Sequence, residues 1–467
     1  MDEMRAILAK QRAMPAPDAA LRRDRLSRAI ALLADHGDTL AEAMRADFGH
    51  RSVESAQLAD IAASIAALSH ARANLARWMK PERRRVAPAA LFWLGARAHV
   101  DYVPKGVVGV ISPWNFPVNL TFAPLAGILA AGNTAMIKPS ELTPITSSLM
   151  AKLISEAFDP GEVAVVIGGA EAGMAFAHLP FDHLLFTGST ATGRLVAQAA
   201  AENLVPVTLE LGGKSPVILG RDADMALAAT RIMAGKLLNA GQACLAPDYA
   251  LVPRARIEDF VAAAQGAVAA MFPTLRDNPD YTAVINARHY ERLMICLEDA
   301  EARGARLVTI NPADEDFTQQ PFRKIPPALV LEPTGEMLVM REEIFGPILP
   351  VVAYDRLDEA LAFVKARPRP LAAYFLGSDA GERRRFLSGT VSGGVTIDDV
   401  LVHFMMEDLP FGGIGPSGMG AYHGFDGFKT FSHARAVYRQ TRRDVAAMLR
   451  PPYGAAIRKY LADAIRR

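Results

Sequence analysis

Cys244 sits in Asn239-Ala-Gly-Gln-Ala-Cys244-Leu-Ala-Pro247, a segment without the apolar periodicity that would bury a thiol as ordinary core. Gly241 and Pro247 bracket it, so an irregular, shaped backbone is expected there. Thirty-four residues upstream, Val207-Thr-Leu-Glu210-Leu-Gly-Gly-Lys214 reads as a strand that delivers a carboxylate into a Gly-Gly turn. A cysteine nucleophile needs a thiolate, and a thiolate needs a base or an electropositive pocket. Glu210 is the base on offer. The only other cysteine, Cys296, differs in setting: Leu293, Cys296, Leu297 and Ala300 share one helical face, where a free thiol behaves as a small buried hydrophobe.

Other segments could serve such a nucleophile. Pro113-Trp-Asn-Phe-Pro117 follows a strand, and its two prolines make a rigid loop that would fix the Asn115 amide as a donor to an oxyanion. Lys138-Pro-Ser-Glu141 follows a second strand and could hydrogen-bond ribose hydroxyls, or simply be a solvated turn. Phe186-Thr-Gly-Ser-Thr190 ends a strand and opens a helix. Gly188 permits close approach there, and the helix start with Ser189 suits a phosphate, although the same residues also make an ordinary cap. Arg341-Glu-Glu-Ile-Phe-Gly-Pro347 and Leu409-Pro-Phe-Gly-Gly-Ile-Gly-Pro-Ser-Gly-Met-Gly420 complete the set. The second lacks a basic residue, so it is no P-loop, and it reads as a shaped loop presenting Phe411 beside a ligand.

The elements that must position these residues are legible as a pattern. Residues 19–79 alternate apolar and charged residues at helical spacing. Residues 80–100 break that pattern and read as a crossing arm. From residue 101, short apolar strands (Val107–Ile111, Thr134–Lys138, Val163–Ile167, His183–Phe186, Pro216–Leu219, Tyr249–Val252) alternate with helices, which indicates parallel α/β sheets. The expected fold class is α/β, with two tandem Rossmann-like parallel-sheet domains and a small oligomerisation element. The expected division is 1–208 for a cofactor-binding domain with an arm at 80–102, 209–400 for a catalytic domain, and 401–467 for a return to the cofactor domain, an oligomerisation strand and a basic tail. Glu210 and Cys244 then lie near the domain junction, where ligand sites concentrate.

Composition narrows the function classes. Fifty-one basic residues balance fifty acidic ones, which gives no argument for nucleic-acid binding. Two distant cysteines are no disulfide framework, and ten histidines show no metal-ligand spacing. The first ten residues lack an apolar signal region, and the most apolar short run is far below the ~20 residues of a membrane helix. A cytoplasmic protein is expected.

Taken together and in order, the segments resemble the aldehyde dehydrogenase superfamily from about residue 100 to 433. The carriers are Pro113-Trp-Asn-Phe-Pro117, Lys138-Pro-Ser-Glu141, Phe186-Thr-Gly-Ser189, Leu209-Glu-Leu-Gly-Gly-Lys214, Gly241-Gln-Ala-Cys244, Glu343-Ile-Phe-Gly-Pro347 and Pro410-Phe-Gly-Gly413. Gln242–Tyr249 and Gly418–Gly424 look like the class 3 branch, and residues 119–132 and 401–410 resemble bacterial coniferyl aldehyde dehydrogenases. The resemblance implies an NAD(P)-dependent oxidation of an aldehyde, coniferyl or another aromatic or medium-chain one, to its acid. Cys244 would be the nucleophile, with Asn115 and the Cys244 N–H holding the oxyanion and Glu210 activating the hydrolytic water. It implies Lys138 and Glu141 for the adenosine ribose, Ser189 with Trp114 for the pyrophosphate, and Glu343 and Phe345 for the nicotinamide ribose and ring. NAD is the expected cofactor, with NADP accepted. A cofactor-free thiol hydrolase leaves the Lys138, Ser189 and Glu343 segments without a task, and a catalytically silent protein would be expected to have lost Cys244 or Glu210. A fatty aldehyde dehydrogenase with a membrane-associated tail is the remaining alternative.

The tail invites two readings. Residues 435–467 carry nine Arg or Lys against Asp444 and Asp463, and Val445, Met448, Leu449, Ile457, Leu461 and Ile465 suggest an amphipathic helix broken at Pro451-Pro452. Basic amphipathic helices bind anionic lipid. An arm across the partner of a homodimer is the favoured reading, because the apolar positions are few.

Overall fold

The computed structural model describes residues 2–442, 444, 447 and 449–466. Of the tail positions named above, Arg443, Val445, Met448 and Arg467 lie outside these residues.

The chain opens with helices. Asp18 caps the helix Ala19–Phe48, its carboxylate accepting from the Leu21 N–H, and Gly49 at φ 77° ends it. Leu26, Ala29, Leu33, Leu40 and Met44 make its buried stripe. A second helical run, 53–78, packs against it and contains one wide turn, Gln57–Ala62.

Strands β1 (Glu82–Arg84) and β2 (Arg97–Pro104) follow as an antiparallel pair. Next come β3 (Val107–Ile111), β4 (Thr134–Lys138), β5 (Val163–Val165), β6 (His183–Gly188) and β7 (Val207–Leu211), all parallel. β3 and β4 are buried throughout, as continuous apolar runs covered on both faces must be. The helix Asn119–Ala131 between them is apolar on every side and wholly buried. A second sheet is built from β8 (Pro216–Leu219), β9 (Tyr249–Pro253), β10 (Arg306–Thr309), β11 (Ala328–Leu331), β12 (Ile348–Tyr354), β13 (Ala372–Leu376) and β14 (Gly394–Ile397), in the order β10-β11-β12-β9-β8-β13-β14. The chain then returns to the first sheet through β15 (Gly418–Met419), giving the order β15-β7-β6-β3-β4-β5. Finally β16 (Ser432–Arg439) pairs antiparallel with the whole of β2, so the expected arm is a three-stranded sheet, β1-β2-β16.

Strand order reverses at β3, with β4 on one side and β6 on the other, and ligands of open α/β sheets bind outside the carboxyl ends at such a point. Asn115 and Ser189 follow strands of this region, and Lys138 ends one. Two differences from the sequence reading stand out. β7 is continuous across the expected boundary at 208/209, so Glu210 belongs to the first sheet and the changeover falls at Gly212-Gly213. One edge of each sheet is antiparallel, through β15 and β10, where the expectation was parallel strands throughout.

Candidate active site

The helix Met225–Leu237 leads into the Cys244 segment, and the backbone there turns left-handed for three residues: Asn239 (φ 51°), Ala240 (φ 52°) and Gly241 (φ 77°). Gly241 is required twice over, because a Cβ would also collide with the carbonyl oxygen of Gly346. Gln242 locks the turn from within. Its amide donates to the carbonyls of Asn239 (2.9 Å) and Ala283 (3.0 Å), and its side-chain oxygen accepts from the Ile285 N–H (2.9 Å). Cys244 emerges half-buried from this rigid base, while Cys296 is buried on its helix as expected.

The thiol does not sit in an electropositive pocket. Burial, then the charges of Glu343 and Glu210, push it up to about 12, and the N–H groups of Cys244 and Leu245 aimed at the sulfur only partly offset this. Glu210, the base expected for this thiol, lies close enough for its charge, together with that of Glu343, to oppose a thiolate. Glu210 itself is 3% exposed, opposite Thr187 and Gly418 in its sheet, and neither carboxyl oxygen has a hydrogen-bond partner. Burial raises its pKa well above the ordinary carboxyl value.

Asn115 is tied to the Cys244 segment from both ends. Its amide donates to the Gln242 carbonyl (3.1 Å), and its main-chain carbonyl accepts from Asn239 (3.0 Å) and Arg51 (3.0 Å). The side-chain amide keeps a second N–H for another acceptor. Arg51 and its partner Asp60 are functional neighbours that the sequence did not reveal. They form a fully buried ion pair at 2.7 Å, and Asp60 also accepts from the N–H groups of Val118 (3.1 Å) and Asn119 (3.0 Å). Asp60 lies on the wide turn 57–62, which aims it at the loop. The available signal was an acid inside an otherwise apolar stripe, with Ala56, Ile61, Ala67 and Leu68.

On the cofactor side, Lys138 is buried and its ammonium meets Glu141 at 2.6 Å, with Glu141 reaching solvent. Burial opposes the Glu141 charge, but Lys138 holds its pKa below the ordinary value. Gly188 ends β6, and Ser189 caps the helix Thr190–Glu202, accepting from Thr192 N–H (3.2 Å). Trp114 packs against Phe345 (5.4 Å between centroids), His289 and Phe48. It is thus brought to the residue expected at the ring end of the cofactor. Phe345 is held at φ 51°. The Glu343 carboxylate accepts from Gly213 N–H, and burial raises its pKa to about 8. It lies so close over Gly212 that a side chain there would displace it. This donor set fits a dinucleotide: a capped helix start for phosphate, two carboxylates for diols, and an aromatic edge for a flat ring.

Phe411 departs from expectation. It is 4% exposed, packed among Phe404, Tyr422 and His423, so the Gly-rich loop buries its ring instead of presenting it. Among the described residues no group of three or more His, Cys, Asp or Glu could hold a metal ion, and no helix is long and apolar enough to cross a membrane.

Comparison with known proteins places this geometry. The profile of the aldehyde dehydrogenase family matches residues 2–437. The chain is 59% identical over 453 residues to the "Probable coniferyl aldehyde dehydrogenase" of Caulobacter vibrioides, covering 97% of this chain and 93% of that one. It is 54% identical over 443 residues to the coniferyl aldehyde dehydrogenase of a Pseudomonas strain, covering 95% and 91%. A solved mutant of aldehyde dehydrogenase C from Pseudomonas syringae, in complex with NAD+ and octanal, superposes with a TM-score of 0.83 at 30% identity, covering 93% and 88%. With its motifs in order and its thiol, amide and carboxyl groups gathered between two α/β sheets, the chain belongs to the aldehyde dehydrogenase family.

Proposed function

We propose that this aldehyde dehydrogenase oxidises coniferyl aldehyde, or a closely related aromatic aldehyde, to the carboxylic acid with NAD as the preferred cofactor. The observation that carries the mechanism is the interlock of the Cys244 and Asn115 loops through Asn239 and Gln242, since a nucleophile and an oxyanion donor must share one rigid frame. Cys244, as the thiolate that hydrolysis regenerates, attacks the aldehyde carbon, and the second Asn115 N–H with the Cys244 N–H receives the oxyanion. When bound, the nicotinamide ring supplies the hydride acceptor that turns the thiohemiacetal into a thioester. Glu210 then takes a proton from the water that hydrolyses the thioester, a task suited to a buried carboxyl whose pKa is raised well above its ordinary value. Lys138 and Glu141 hold the adenosine ribose, Gly188, Ser189 and Trp114 border the pyrophosphate, and Glu343 and Phe345 hold the nicotinamide end. The first sheet then forms the core of the cofactor-binding domain and the second that of the catalytic domain.

The substrate assignment draws support from the two coniferyl aldehyde dehydrogenases above. A steady-state panel of coniferyl, cinnamyl, benzyl and straight-chain aldehydes, followed by NADH absorbance, tests it. The highest kcat/KM is expected for the cinnamyl type, and activity on short aldehydes alone overturns the assignment. Glu141 can hold both ribose hydroxyls and repels a 2′-phosphate, so NAD is preferred and NADP is used measurably. Strict dependence on NADP removes Glu141 from this role.

For the chain's assembly we take a cytoplasmic homodimer in which the basic tail is an arm across the partner. Support comes from the exposed face of β16 and from the helix Ala455–Ile465, on which only Ile457 is buried. Truncation after Gln440 leaves β16 whole, whereas a cut after Arg435 severs its register with β2. Weakened dimerisation on truncation supports the arm. An unaltered dimer that has lost only vesicle binding favours the membrane reading.

A further inference from the structure

Thioester hydrolysis as proposed above loads one proton per turnover onto Glu210, whose oxygens have no hydrogen-bond partner. A string of similarly unpartnered groups begins beside it. The Tyr422 hydroxyl lies in the electrostatic field of Glu210, Cys244 and Glu407, in a side chain only 1% exposed, and it makes no hydrogen bond. His423 is 4% exposed, with neither ring nitrogen partnered; its ring meets Tyr422 at 4.8 Å and stacks on Phe411 at 5.2 Å. The backbone of His423 is held at φ 124°, a conformation that costs an L-residue ~1–3 kcal/mol and clusters at functional sites. His70 and His403 face it, each with a buried, unpartnered Nε2. Tyr422, His423 and Glu407 line one small cavity between the helices 63–78, 119–131 and 424–430. Native proteins satisfy roughly nine in ten buried polar groups, so a contiguous run of exceptions bordering a cavity calls for a function.

We propose that Tyr422, His423 and Glu407 form the exit path for the proton that Glu210 takes from the hydrolytic water, with Glu407 as the terminus that hands it to solvent. The inference rests on Glu210 as the base. In that step the water oxygen bonds to the acyl carbon, the carbon–sulfur bond breaks, Cys244 leaves as thiolate and one proton passes to Glu210. The hydroxyl and the neutral imidazole each accept one proton and release another, water filling the gaps, so no group changes oxidation state. Glu407 is half-buried and so reaches bulk water. Burial raises its pKa to about 7, which lets it both accept and release a proton near neutrality.

The test separates the two halves of the reaction. Pre-steady-state NADH formation reports acylation, and single-turnover release of acid reports hydrolysis. Both are measured at fixed pH and ionic strength in dilute buffer, with and without added imidazole. For Glu407→Gln the NADH burst should match the wild type, hydrolysis should slow about tenfold or more, and imidazole should restore it as a substitute proton carrier. Tyr422→Phe keeps the ring and carries the same test should Glu407→Gln fail to fold. Wild-type hydrolysis in dilute buffer, or a slow rate that imidazole does not restore, overturns the path. Glu210→Gln is the control for the underlying reading. If it stalls hydrolysis while Glu407→Gln does not, the path alone fails. If Glu210→Gln hydrolyses at the wild-type rate, the base assignment fails.

Discussion

Cofactor-free enzyme should present Cys244 as a slow nucleophile. Its thiol is pushed up to about 12 by burial and then by Glu343 and Glu210. At pH 8 a thiol of that pKa is ionised to about one part in 10⁴, against about one in four for an ordinary cysteine near 8.5. The rarer thiolate is intrinsically more reactive: a Brønsted slope of about 0.45 across about 3.5 pKa units returns roughly 40-fold. The two effects together leave alkylation about 60-fold slower than for a free thiol, before any loss from restricted access. The assay is iodoacetamide labelling across pH 7–10, with the Cys244 peptide quantified by mass spectrometry and Cys296 as the buried reference. Because the folded pKa lies above this window, the rate should climb about tenfold per pH unit without levelling. Glu343→Gln should accelerate labelling most above pH 8, where that carboxyl, with its pKa near 8, is ionised. A plateau near pH 7, or labelling as fast as a free thiol, would refute the reasoning and require a cation beside the sulfur.

Cys244→Ala should abolish aldehyde oxidation while NAD binding, read by fluorescence titration, persists; Cys296→Ala should keep full turnover. Arg51→Met leaves Asp60 buried without its cation and should cost about 3–5 kcal/mol in urea unfolding, and it should lower kcat by loosening the Asn115 loop. Arg51→Lys should not restore kcat, because one ammonium cannot reproduce the fork that bridges Asp60 and the Asn115 carbonyl. The Glu162 carboxyl, although burial opposes its charge, is held below its ordinary pKa by Arg28 and Arg25. Its contribution to stability is therefore present above the unfolded carboxyl pKa and lost as pH falls through the lower folded value. Glu162→Gln should flatten the acid limb of a stability profile measured from neutrality to pH 3.

The sheets were legible because parallel strands covered on both faces must read as unbroken apolar runs, as Val107–Ile111 and Thr134–Lys138 do. Cys244 drew attention by its lack of periodicity, Glu210 by its place at the end of a strand before Gly212-Gly213, and Asn115 by the two prolines that flank it. What escaped was pairwise or environmental. Arg51 acquires meaning only beside Asp60 and Asn115, and no local pattern joins 51 to 115. The direction of the Phe411 ring depends on its packing against Phe404, Tyr422 and His423. The sulfur's pKa depends on a desolvation that the composition of one loop does not express. The boundary at Gly212-Gly213 was misjudged because Val207–Leu211 and the turn after it read as one unit with the Lys214 segment.

One feature of the sheets bears on how the chain is made. Residues 212–417 leave the first sheet after β7 and return beside it, where Leu211 N–H donates to the Ser417 carbonyl (3.0 Å) and Gly418 pairs with Glu210. The second sheet is thus a loop-out joined through a narrow neck, and Glu210 stands at that neck. During synthesis β7 remains an open edge until the entire second sheet has emerged, because its β15 partner follows that sheet in the chain. Open edges recruit foreign strands. Folding of the loop-out as a unit while it leaves the ribosome would carry residue 418 back to residue 210 and close the edge in the same motion. The surroundings of Glu210 are then completed only after the whole second sheet has been translated.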